Sequence, residues 1–405
     1  MRILILHQNI FERMAYDRAI DHDAHDVAYA GSAEYIANIP AAVRCTTFAW
    51  DADRPVTEQL RQWLRERPPF HRIIARHELL IMPAAELRAE FGVPGMRPDV
   101  AVNFRDKVAM KTTLARQGYR VPRFALASAP SGKAPWKGKT IVKPRDANAS
   151  QGVHLCDDYE SARELAMGGL GDKDPFTGRY ELEEYLDGPV WNVDGFLFRG
   201  KPVVIQPSRY VGTCLDFING IPHGTLQCPN PLLETWTVEV LRALGGDTLT
   251  FHFEAIMTDD GPVFLEVAAR CGGGYIVDMM HRRTGVHMHA LDMATEVEGE
   301  LADRMIEAPA SSDFHGDFLF PGHIYGGSPC AVQIPAALLE DPCLKSYHIA
   351  PPTKPLPAKP TYRPENLPFS GMVGGPDPDV LEKWMRNTFQ LVRVVPRPRA
   401  DDATG

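Results

Sequence analysis

The sequence lacks long apolar runs and any regular cysteine pattern. No run of about 18 apolar residues occurs, the length that a membrane-spanning helix needs, so we expect no membrane partner. The 7 cysteines are odd in number and lack paired spacing, which indicates a reducing compartment. No Cys-x-x-Cys pair occurs, which argues against a structural zinc site. Because Met1–Leu6 lead into polar residues and not into a signal-peptide pattern, we expect a cytoplasmic protein.

A surplus of positive charge is also missing. Asp and Glu number 52 against 43 Lys and Arg, for a formal net charge of −9. A chain with this balance does not bind polyanions as a whole, so we expect no nucleic-acid partner. An anionic small molecule must therefore meet local Lys, Arg or metal. The 405 residues are 44% apolar and 23% charged, which is typical of an ordinary globular protein of two or three domains.

Strand and helix patterns alternate over residues 1–105. The segment RILILH reads as a short buried strand and RQWLRER as a charged helix. The segment FHRIIA reads as another strand, before a helix closed by Gly92 and Pro94. This alternation predicts a small Rossmann-like domain with a parallel layer. The segment lacks the G-x-G-x-x-G fingerprint, so it predicts no dinucleotide site.

Residues 106–305 form the second predicted domain and residues 306–405 the third. In the second, Asp106 caps a helix that Gly118 stops, and KTIVKPRDANASQGVHL predicts a strand, a polar loop and another strand. The third is Pro-rich, with short strands, an extended loop at Pro351–Pro364 and one late helix in DPDVLEKWMRNTF. The predicted fold class is therefore mixed α/β (α+β).

The stretch TFHFEAIMTDDGPVFLEVAARCGGG predicts a β-hairpin with a glutamate on each arm. A three-residue loop, Asp259–Gly261, pairs Thr258 with Pro262 and places Glu254 directly opposite Glu266. Side chains paired in this way stand about 4.5–5.5 Å apart at Cβ, and two charged carboxylates there repel each other. Either the face is solvated, or something positive lies between the two carboxylates, or one of them holds a proton.

Alternation along the arms gives the two faces of this hairpin different expected roles. His252 and Ala268 share the face of the two glutamates, and Arg270 extends it. The opposite face is predicted to be a core layer. Its members are Phe251, Phe253, Ala255, Met257, Val263, Leu265 and Val267.

Lys143 ends a buried strand beside a loop of small residues. Backbone N–H groups in such a loop can bind phosphate oxygens, and the lysine supplies charge. The loop has a single glycine, Gly152, and the pair Asp106-Lys107 is equally unspecific alone. Taken singly, each motif is also consistent with a surface lysine before a turn.

The order and spacing of these motifs resemble the ATP-grasp superfamily. A helix begins with Asp106-Lys107, a strand carries Lys143, and a loop of small residues ends in Gly152-Val153; ELEEYLDGP, an HFE strand, a turn and FLEVAARCGG follow. The resemblance covers most of the chain. Within that superfamily, the sequence is most similar to the carboxylate–amine ligases that include L-amino acid ligases. Biotin carboxylase is a more distant relative. The resemblance implies an N-terminal preATP-grasp domain, a central ATP-grasp domain and a small β-rich C-terminal domain that completes the active-site cleft.

The resemblance implies an ATP site in the central domain. Lys107 and Lys143 match the two lysines that contact ATP phosphates. The residues that match the mobile loop over the phosphates are Ser150, Gln151, Gly152 and Val153. The residues that match the hinge holding adenine, largely through backbone groups, are Glu183, Glu184, Tyr185 and Leu186.

The resemblance also implies metal and substrate roles. Glu254 and Glu266 match metal ligands, and their hard oxygens suit Mg²⁺, with Mn²⁺ as the alternative ion. Arg270 matches the catalytic arginine that binds the substrate carboxylate and the acyl phosphate, for which its planar fork is suited. Gly273 and Gly274 would let the backbone approach the same intermediate.

Two positions depart from the family pattern. Ala268 stands where relatives carry Asn as a further metal ligand, and Val190 where many carry Glu for the ribose; Asp187 is a candidate substitute for the latter. The departures predict weaker affinity, or a site rebuilt from water and other side chains. Glu78 matches a glutamate near the cleft of relatives, with a helix cap or a surface salt bridge as the alternative.

The resemblance implies ATP-dependent amide-bond formation. A small carboxylic acid, expected to be an amino acid, would be activated as an acyl phosphate and coupled to an amine, expected to be another amino acid, with release of ADP and phosphate. The expected partners are these small molecules, and a homodimer is left open. The alternatives are a nucleotide-binding protein without turnover, a biotin-carboxylase-like enzyme and a ligase that transfers the acyl group to a carrier thiol.

Overall fold

The computed structural model describes residues 1–129, 134–168, 170 and 178–397. Residues 398–405 of the predicted third domain lie outside this range. The described residues contain 18 strands in four sheets. The strands are β1 (Arg2–His7), β2 (Asp26–Ser32), β3 (Thr46–Trp50), β4 (Arg72–Ala75), β5 (Phe124–Leu126), β6 (Thr140–Pro144), β7 (His154–Cys156), β8 (Tyr180–Glu184), β9 (Val190–Phe198), β10 (Lys201–Val211), β11 (His223–Gln227), β12 (Leu249–Thr258), β13 (Gly261–Ala268), β14 (Phe314–Leu319), β15 (Cys330–Gln333), β16 (Leu344–Ile349), β17 (Phe369–Gly375) and β18 (Arg393–Pro396).

The same residues contain 14 α-helices, most of them short. The helices are α1 (Phe11–Met14), α2 (Tyr16–Ala19), α3 (Ala33–Ala37), α4 (Val56–Arg65), α5 (Ile81–Glu90), α6 (Pro98–Ala101), α7 (Lys107–Arg116), α8 (Tyr159–Gly168), α9 (Cys214–Ile218), α10 (Pro231–Ala243), α11 (Ile276–Thr284), α12 (Met288–Glu298), α13 (Ala336–Leu339) and α14 (Pro378–Leu391). None of the helices in the described ranges combines the length and the apolar character of a membrane span.

The N-terminal sheet is parallel and has the order β3-β2-β1-β4. Ile3 and Leu4 on β1 are fully buried because helices cover both faces of the sheet, as the unbroken apolar run of β1 predicts. The Rossmann-like prediction for the first domain is therefore confirmed. Strand β4 leads into α5, so the polar residues between them, including Glu78, lie at the carboxyl end of a sheet strand.

The largest sheet is antiparallel, with the order β13-β12-β9-β10-β11-β14-β17-β16. Its strands come from both sides of the predicted boundary at residue 305, because β14, β16 and β17 follow that residue in the chain. The sheet is therefore continuous across the boundary, whose exact position stays a prediction. Phe251 and Phe253 lie on the covered face of β12, packed with residues of α10 in one core.

A smaller antiparallel sheet, β5-β8-β6-β7, faces the hairpin of the large sheet. Helix α8 packs on it through Ala162 and Ala166. Helix α7 precedes it and begins where predicted, since the Asp106 carboxylate accepts hydrogen bonds from the backbone N–H groups of Val108 and Ala109. The helices predicted at α4, α5 and α14 are also present.

The hairpin of β12 and β13 confirms the central prediction and corrects its loop. Glu254 lies directly opposite Glu266. At the tip, however, Thr258 pairs with Gly261, so the loop has two residues, Asp259-Asp260, and the three-residue loop was wrong. Gly261, the first residue of the returning strand, has φ +103°, a conformation that glycine adopts readily.

A β-bulge restores the register between the tip and the glutamates. Ala255 pairs with Phe264, while Glu254 pairs with Glu266, so Leu265 is the extra residue. The extra residue reverses the alternation locally, and Leu265 lines the cavity described below. Its assignment to the core layer was therefore wrong. Phe264, which is fully buried, occupies the core in its place.

Candidate nucleotide and carboxylate site

One cavity of about 170 Å³ lies between the small sheet β5-β8-β6-β7 and the hairpin of the largest sheet. Most residues singled out in the sequence line it. They are Lys107, Lys143, Ser150, Gln151, Val153, Glu183, Glu184, Tyr185, Leu186, Glu254 and Glu266. Apolar side chains, among them Ile141, Ile256 and Leu265, line it as well. A cleft with apolar walls and a few charged groups is the usual form of a small-molecule site.

Four of the singled-out residues lie outside the cavity lining. Gly152 is part of the loop between β6 and β7, and Gly273 and Gly274 follow β13. Arg270 also follows β13, on the side of the hairpin nearest the N-terminal domain, where it contacts Glu78. The structure thus separates a cavity suited to a nucleotide from a neighbouring polar region around Arg270.

The two lysines reach the cavity from different elements and carry different partners. Lys107, at the start of α7, lies 3.1 Å from Glu266 through Nζ and Oε2 and donates to the carbonyl of Ala147 at 2.9 Å. Lys143, at the end of β6, lies 2.9 Å from Glu183 Oε1. Both are nearly buried. Burial opposes the charged form of Lys143, but Glu183 and Glu181 outweigh it and raise the pKa of Lys143.

The loop after β6 turns sharply beside the cavity. Ala149 and Ser150 have φ +52° and +55°, and Gly152 has φ +71°. Two successive non-glycine residues in this region are uncommon, and such conformations concentrate at ligand sites. The Ser150 hydroxyl lies 3.4 Å from the hydroxyl of Tyr362, so the loop also contacts the Pro-rich segment of the C-terminal region.

The acidic side chains of the predicted adenine hinge form ion pairs with basic residues of the protein. Glu183 contacts both Lys143 and the buried Lys111, and Glu184 contacts Arg123 at 2.6 Å. Burial opposes ionisation of Glu183, but Lys111 and Lys143 lower its pKa. Both carboxylates therefore have partners within the protein, and Tyr185 and Leu186 line the cavity beside them.

Glu254 and Glu266 each have their own neighbours that donate hydrogen bonds or carry positive charge. Glu254 Oε1 accepts from the Tyr210 hydroxyl at 2.5 Å and lies 3.4 Å from His252 Nε2. Glu266 contacts Lys107. Burial alone would raise the pKa of Glu266, but Lys107 and Lys143 lower it to about 2. The carboxylate repulsion that the sequence predicts is therefore offset by groups of the protein itself.

His252 lies between the carboxylate of Glu254 and that of a more deeply buried acidic residue. Its Nδ1 lies 2.9 Å from Asp194 Oδ1. Burial would lower the pKa of His252, but Asp194 and Glu254 outweigh it and raise the pKa to about 10. Asp194 Oδ1 also accepts from the backbone N–H of Gly272 at 3.3 Å, so this carboxylate holds the start of the glycine segment against the sheet.

The donor chemistry fits a hard divalent cation at the facing glutamates. Mg²⁺ and Mn²⁺ take carboxylate, carbonyl and phosphate oxygens, and Glu254 and Glu266 offer two carboxylates on one side of the cavity. Across the described ranges, no three His, Cys, Asp or Glu residues converge as a ready-made metal cluster. A metal here would therefore need further oxygens from other groups.

Arg270 is held by a carboxylate from the N-terminal domain. Glu78 Oε2 accepts from Arg270 Nε at 2.8 Å and lies 2.6 Å from Nη2. Glu78 Oε1 also accepts from Arg105 at 3.4 Å. Burial would lower the pKa of Arg270, but Glu78 outweighs it, so the pKa is raised. Glu78 is thus a buried ion-pair partner, and the surface salt bridge considered for it was wrong.

The glycine segment after Arg270 packs closely against the C-terminal strands. A Cβ on Gly274, which has φ +62°, would lie 2.3 Å from Asp317 Oδ2. Asp317 on β14 accepts from the backbone N–H groups of Thr225 and Tyr275. Burial raises the pKa of Asp317 to about 6. Only glycine leaves room for this approach, which brings the segment beside both Arg270 and the large sheet.

Several residues of this region escaped the sequence analysis. Lys111, which contacts Glu181 and Glu183, lies four positions after Lys107 and shares its helix face. Alternating acidic residues in YELEE were a signal for this buried network, because i and i+2 on a strand share a face. Tyr210 and Asp194 carried no such signal, since their partners are distant in the sequence.

Sequence comparison finds relatives among amino acid ligases. An L-arginine-specific L-amino acid ligase from Bacillus subtilis is 25% identical over 253 residues, which cover 58% of this chain and 60% of the relative. Dapdiamide A synthase from Enterobacter agglomerans is 29% identical over 194 residues, or 43% of this chain and 45% of the relative. The matches thus span about half the length of these relatives. No family model matches the chain.

Structural comparison extends the likeness to the whole chain. The crystal structure of the L-amino acid ligase from Bacillus licheniformis superposes with a TM-score of 0.70 and 17% identity, covering 98% of this chain and 99% of that one. The chain therefore shares the fold of that ligase, which is the fold class that the resemblance predicts. In this fold, the cavity lies between the small sheet and the hairpin of the largest sheet, and all residues expected to contact nucleotide or metal line it except Gly152.

Proposed function

We propose that this chain is an ADP-forming carboxylate–amine ligase that joins two amino acids through an amide bond. The observation that supports it is the meeting of Lys107, Lys143, Glu254 and Glu266 in one cavity, with Arg270 just beyond the end of β13. On this proposal, the two lysines would bind phosphate and the two glutamates would bind the metal. The guanidinium of Arg270 would bind the substrate carboxylate beside them. The L-arginine-specific ligase and dapdiamide A synthase among the relatives support amino acids as substrates.

The nucleotide would occupy the cavity with its base at the hinge. Residues Glu183–Leu186 would hold adenine through backbone groups, and residues Ser150–Val153 would cover the phosphates. Lys107 and Lys143, which already approach the cavity from two sides, would neutralise phosphate oxygens. Val190 also lines the cavity, so its apolar side chain would meet the nucleotide where many relatives carry Glu for the ribose.

Glu254 and Glu266 are the residues that would hold Mg²⁺, with Mn²⁺ as the alternative ion. When bound there, the ion would supply charge neutralisation at the outer phosphates. The chain's own part is to present the two carboxylates on a rigid hairpin, with Tyr210 and His252 orienting Glu254. Glu266 is kept ionised by Lys107 and Lys143.

The reaction needs activation because a carboxylate is a poor electrophile, with oxide as its leaving group. A carboxylate oxygen of the first substrate attacks the γ-phosphorus, and the bond from that phosphorus to the bridging oxygen of ADP breaks. The amine then attacks the carbonyl carbon of the acyl phosphate, the carbon–oxygen bond to phosphate breaks, and the amine loses a proton. Arg270 would hold the carboxylate and then the acyl phosphate in a two-point contact, while the lysines balance charge.

Nucleotide chromatography with an amino-acid panel tests this proposal. Purified protein, Mg²⁺ and ATP are incubated with single amino acids and with pairs, and nucleotides and peptides are quantified. We expect ADP and phosphate in equal amounts with the amide product, only when a substrate acid is present. AMP as the main nucleotide product would contradict the mechanism.

The same assay distinguishes the alternatives. ADP release that needs bicarbonate and no amino acid would indicate a biotin-carboxylase-like enzyme, and release that needs a thiol in place of an amine would indicate acyl transfer to a carrier. Nucleotide binding without turnover under every mixture would indicate a non-catalytic protein. We also propose that the protein is cytoplasmic and that its substrates are small molecules. Light scattering would measure its oligomeric state.

A further inference from the structure

The row of side chains that contains the two glutamates extends one strand further. Asn192 on β9 lies directly opposite Glu254 on β12, and Glu254 lies directly opposite Glu266 on β13. Directly paired residues of antiparallel strands point to the same face, with Cβ atoms about 4.5–5.5 Å apart. An amide and two carboxylates therefore stand side by side across three adjacent strands.

One half of the Asn192 amide has a partner and the other half does not. Its Nδ2 donates to Asp194 Oδ2 at 2.6 Å. This bond sets the orientation of the amide, because an ionised carboxylate only accepts. The Oδ1 atom is buried and has no hydrogen-bond partner among the described residues, and Asn192 as a whole is 0% exposed.

A buried amide oxygen without a partner is costly. Leaving such a group unsatisfied costs about 1–3 kcal/mol, and unpaired buried groups in native structures call for an explanation such as a bound ion. Both protein contacts of Glu254, from Tyr210 and His252, fall on its Oε1 atom. Its Oε2 atom is engaged by neither of them, so a carboxylate oxygen and an amide oxygen of facing residues are both available.

We propose that Asn192 Oδ1 is a ligand of the divalent metal that Glu254 and Glu266 hold. Amide oxygens are ordinary ligands of Mg²⁺ and Mn²⁺, and Ala268, two positions after Glu266 on the same face, offers none. The metal site then takes an oxygen ligand from the neighbouring strand β9 in place of one from position 268. This inference rests on the proposed function, because it takes Glu254 and Glu266 as metal ligands.

Manganese titration of the full chain tests the inference without using turnover. Free Mn²⁺ is followed by electron paramagnetic resonance as it is added to wild-type protein, Asn192→Ala and Ser208→Ala, each with ADP present. Ser208 is the matched control because it is buried and pairs with Asn192 from β10, the strand on the side of β9 away from β12. We expect Asn192→Ala to weaken Mn²⁺ binding at least about tenfold, since even groups that only orient metal ligands are worth 10–100-fold. Ser208→Ala should stay within about twofold of wild type.

Glu254→Gln separates failure of this inference from failure of the proposed function. If Glu254→Gln loses Mn²⁺ binding while Asn192→Ala keeps wild-type affinity, Asn192 is not a ligand and the proposed metal site stands. If both variants keep wild-type affinity, the metal site itself is wrong. An equal loss in Asn192→Ala and Ser208→Ala would mean that the amide only supports the sheet, and would overturn the inference.

Asn192→Asp keeps the test decisive if Asn192→Ala does not fold. The new carboxylate stands beside Asp194 and Glu254, so like-charge repulsion lowers the melting temperature of the metal-free protein. As a metal ligand it gains a full charge, so Mn²⁺ should raise the melting temperature of Asn192→Asp more than that of wild type. A rise no larger than the wild-type rise would refute the assignment.

Discussion

Replacing Glu78 by glutamine should weaken the fold because one buried carboxylate balances two guanidinium groups. Glu78 contacts Arg270 at 2.6 Å and Arg105 at 3.4 Å. The side chains of Glu78 and Arg105 are 8% and 10% exposed, and that of Arg270 is 24% exposed. Glutamine keeps the volume and one acceptor oxygen but removes the charge, so two cations lose their shared counter-ion.

The expected magnitude follows from these exposures. Removing one partner of a buried ion pair costs about 3–5 kcal/mol. Because glutamine still accepts one hydrogen bond and solvent screens part of Arg270, we expect a loss of about 2–3 kcal/mol in the free energy of unfolding. Glu90, which bridges Arg61 and Arg65 at the surface, is the matched control. Glu90→Gln should cost no more than about 1 kcal/mol.

The assay combines urea unfolding with acid-dependent ADP release. Neither Glu78 nor Arg270 lines the nucleotide cavity, so ATP affinity should be unchanged in Glu78→Gln. Acid-dependent ADP release should fall on the order of 100-fold, mainly through KM for the acid, because Arg270 loses its orientation. Glu90→Gln should leave both quantities unchanged.

A double-mutant cycle with Arg270→Gln can refute this reasoning. If Glu78 acts through Arg270, the double variant should be less destabilised than the sum of the single variants, with a coupling of about 1–3 kcal/mol. Its activity should also be no lower than that of Arg270→Gln alone. Additive stability losses, within about 0.5 kcal/mol, would mean that the contact contributes nothing specific.

Five further substitutions have defined outcomes. Glu254→Gln and Glu266→Gln should each nearly abolish acid-dependent ADP release at saturating Mg²⁺, while far-ultraviolet circular dichroism stays that of wild type. Arg270→Ala should reduce that release far more than it weakens binding of a fluorescent ATP analogue. Burial raises the pKa of Asp317 from 3.8 to about 6, so the folded state binds this proton more tightly than the unfolded state. The free energy of unfolding should then fall by about 2 kcal/mol as the pH rises from 4 to 7, and Asp317→Asn should remove that fall in urea titrations. Ala268→Asn should leave Mg²⁺ activation unchanged or tighten it, and loss of activation would mean that the site differs from its relatives.

Residues close in the sequence could be placed before the structure was known. The Asp106 cap, the strand that ends at Lys143 and the facing pair of Glu254 and Glu266 all follow from local rules of capping and alternation. These rules act within one helix or one hairpin. They needed no knowledge of which other elements pack nearby.

Residues joined across domains could not be placed in this way. Glu78 and Arg270 are 192 positions apart, and their contact depends on how the parallel sheet meets the hairpin. Gly274 and Asp317 meet because β14 joins the large sheet, although the Pro-rich composition suggested a separate C-terminal domain. Partners at such separations are set by tertiary packing, on which spacing and periodicity carry no information.

The hairpin shows where a local rule reaches its limit. Alternation placed Glu254 opposite Glu266 correctly even though the predicted loop was one residue too long, because the bulge at Leu265 compensates for the shorter loop. Two local errors therefore cancelled at the glutamates and remained visible between the tip and the bulge, where Val263 pairs with the cavity-lining Ile256 and so leaves the predicted core face together with Leu265. No alternation within the hairpin could show that β9, and not β10 or β11, pairs with the far side of β12. That long-range pairing puts Asn192 in the row, so the third oxygen donor proposed for the metal became visible only with the order of the strands.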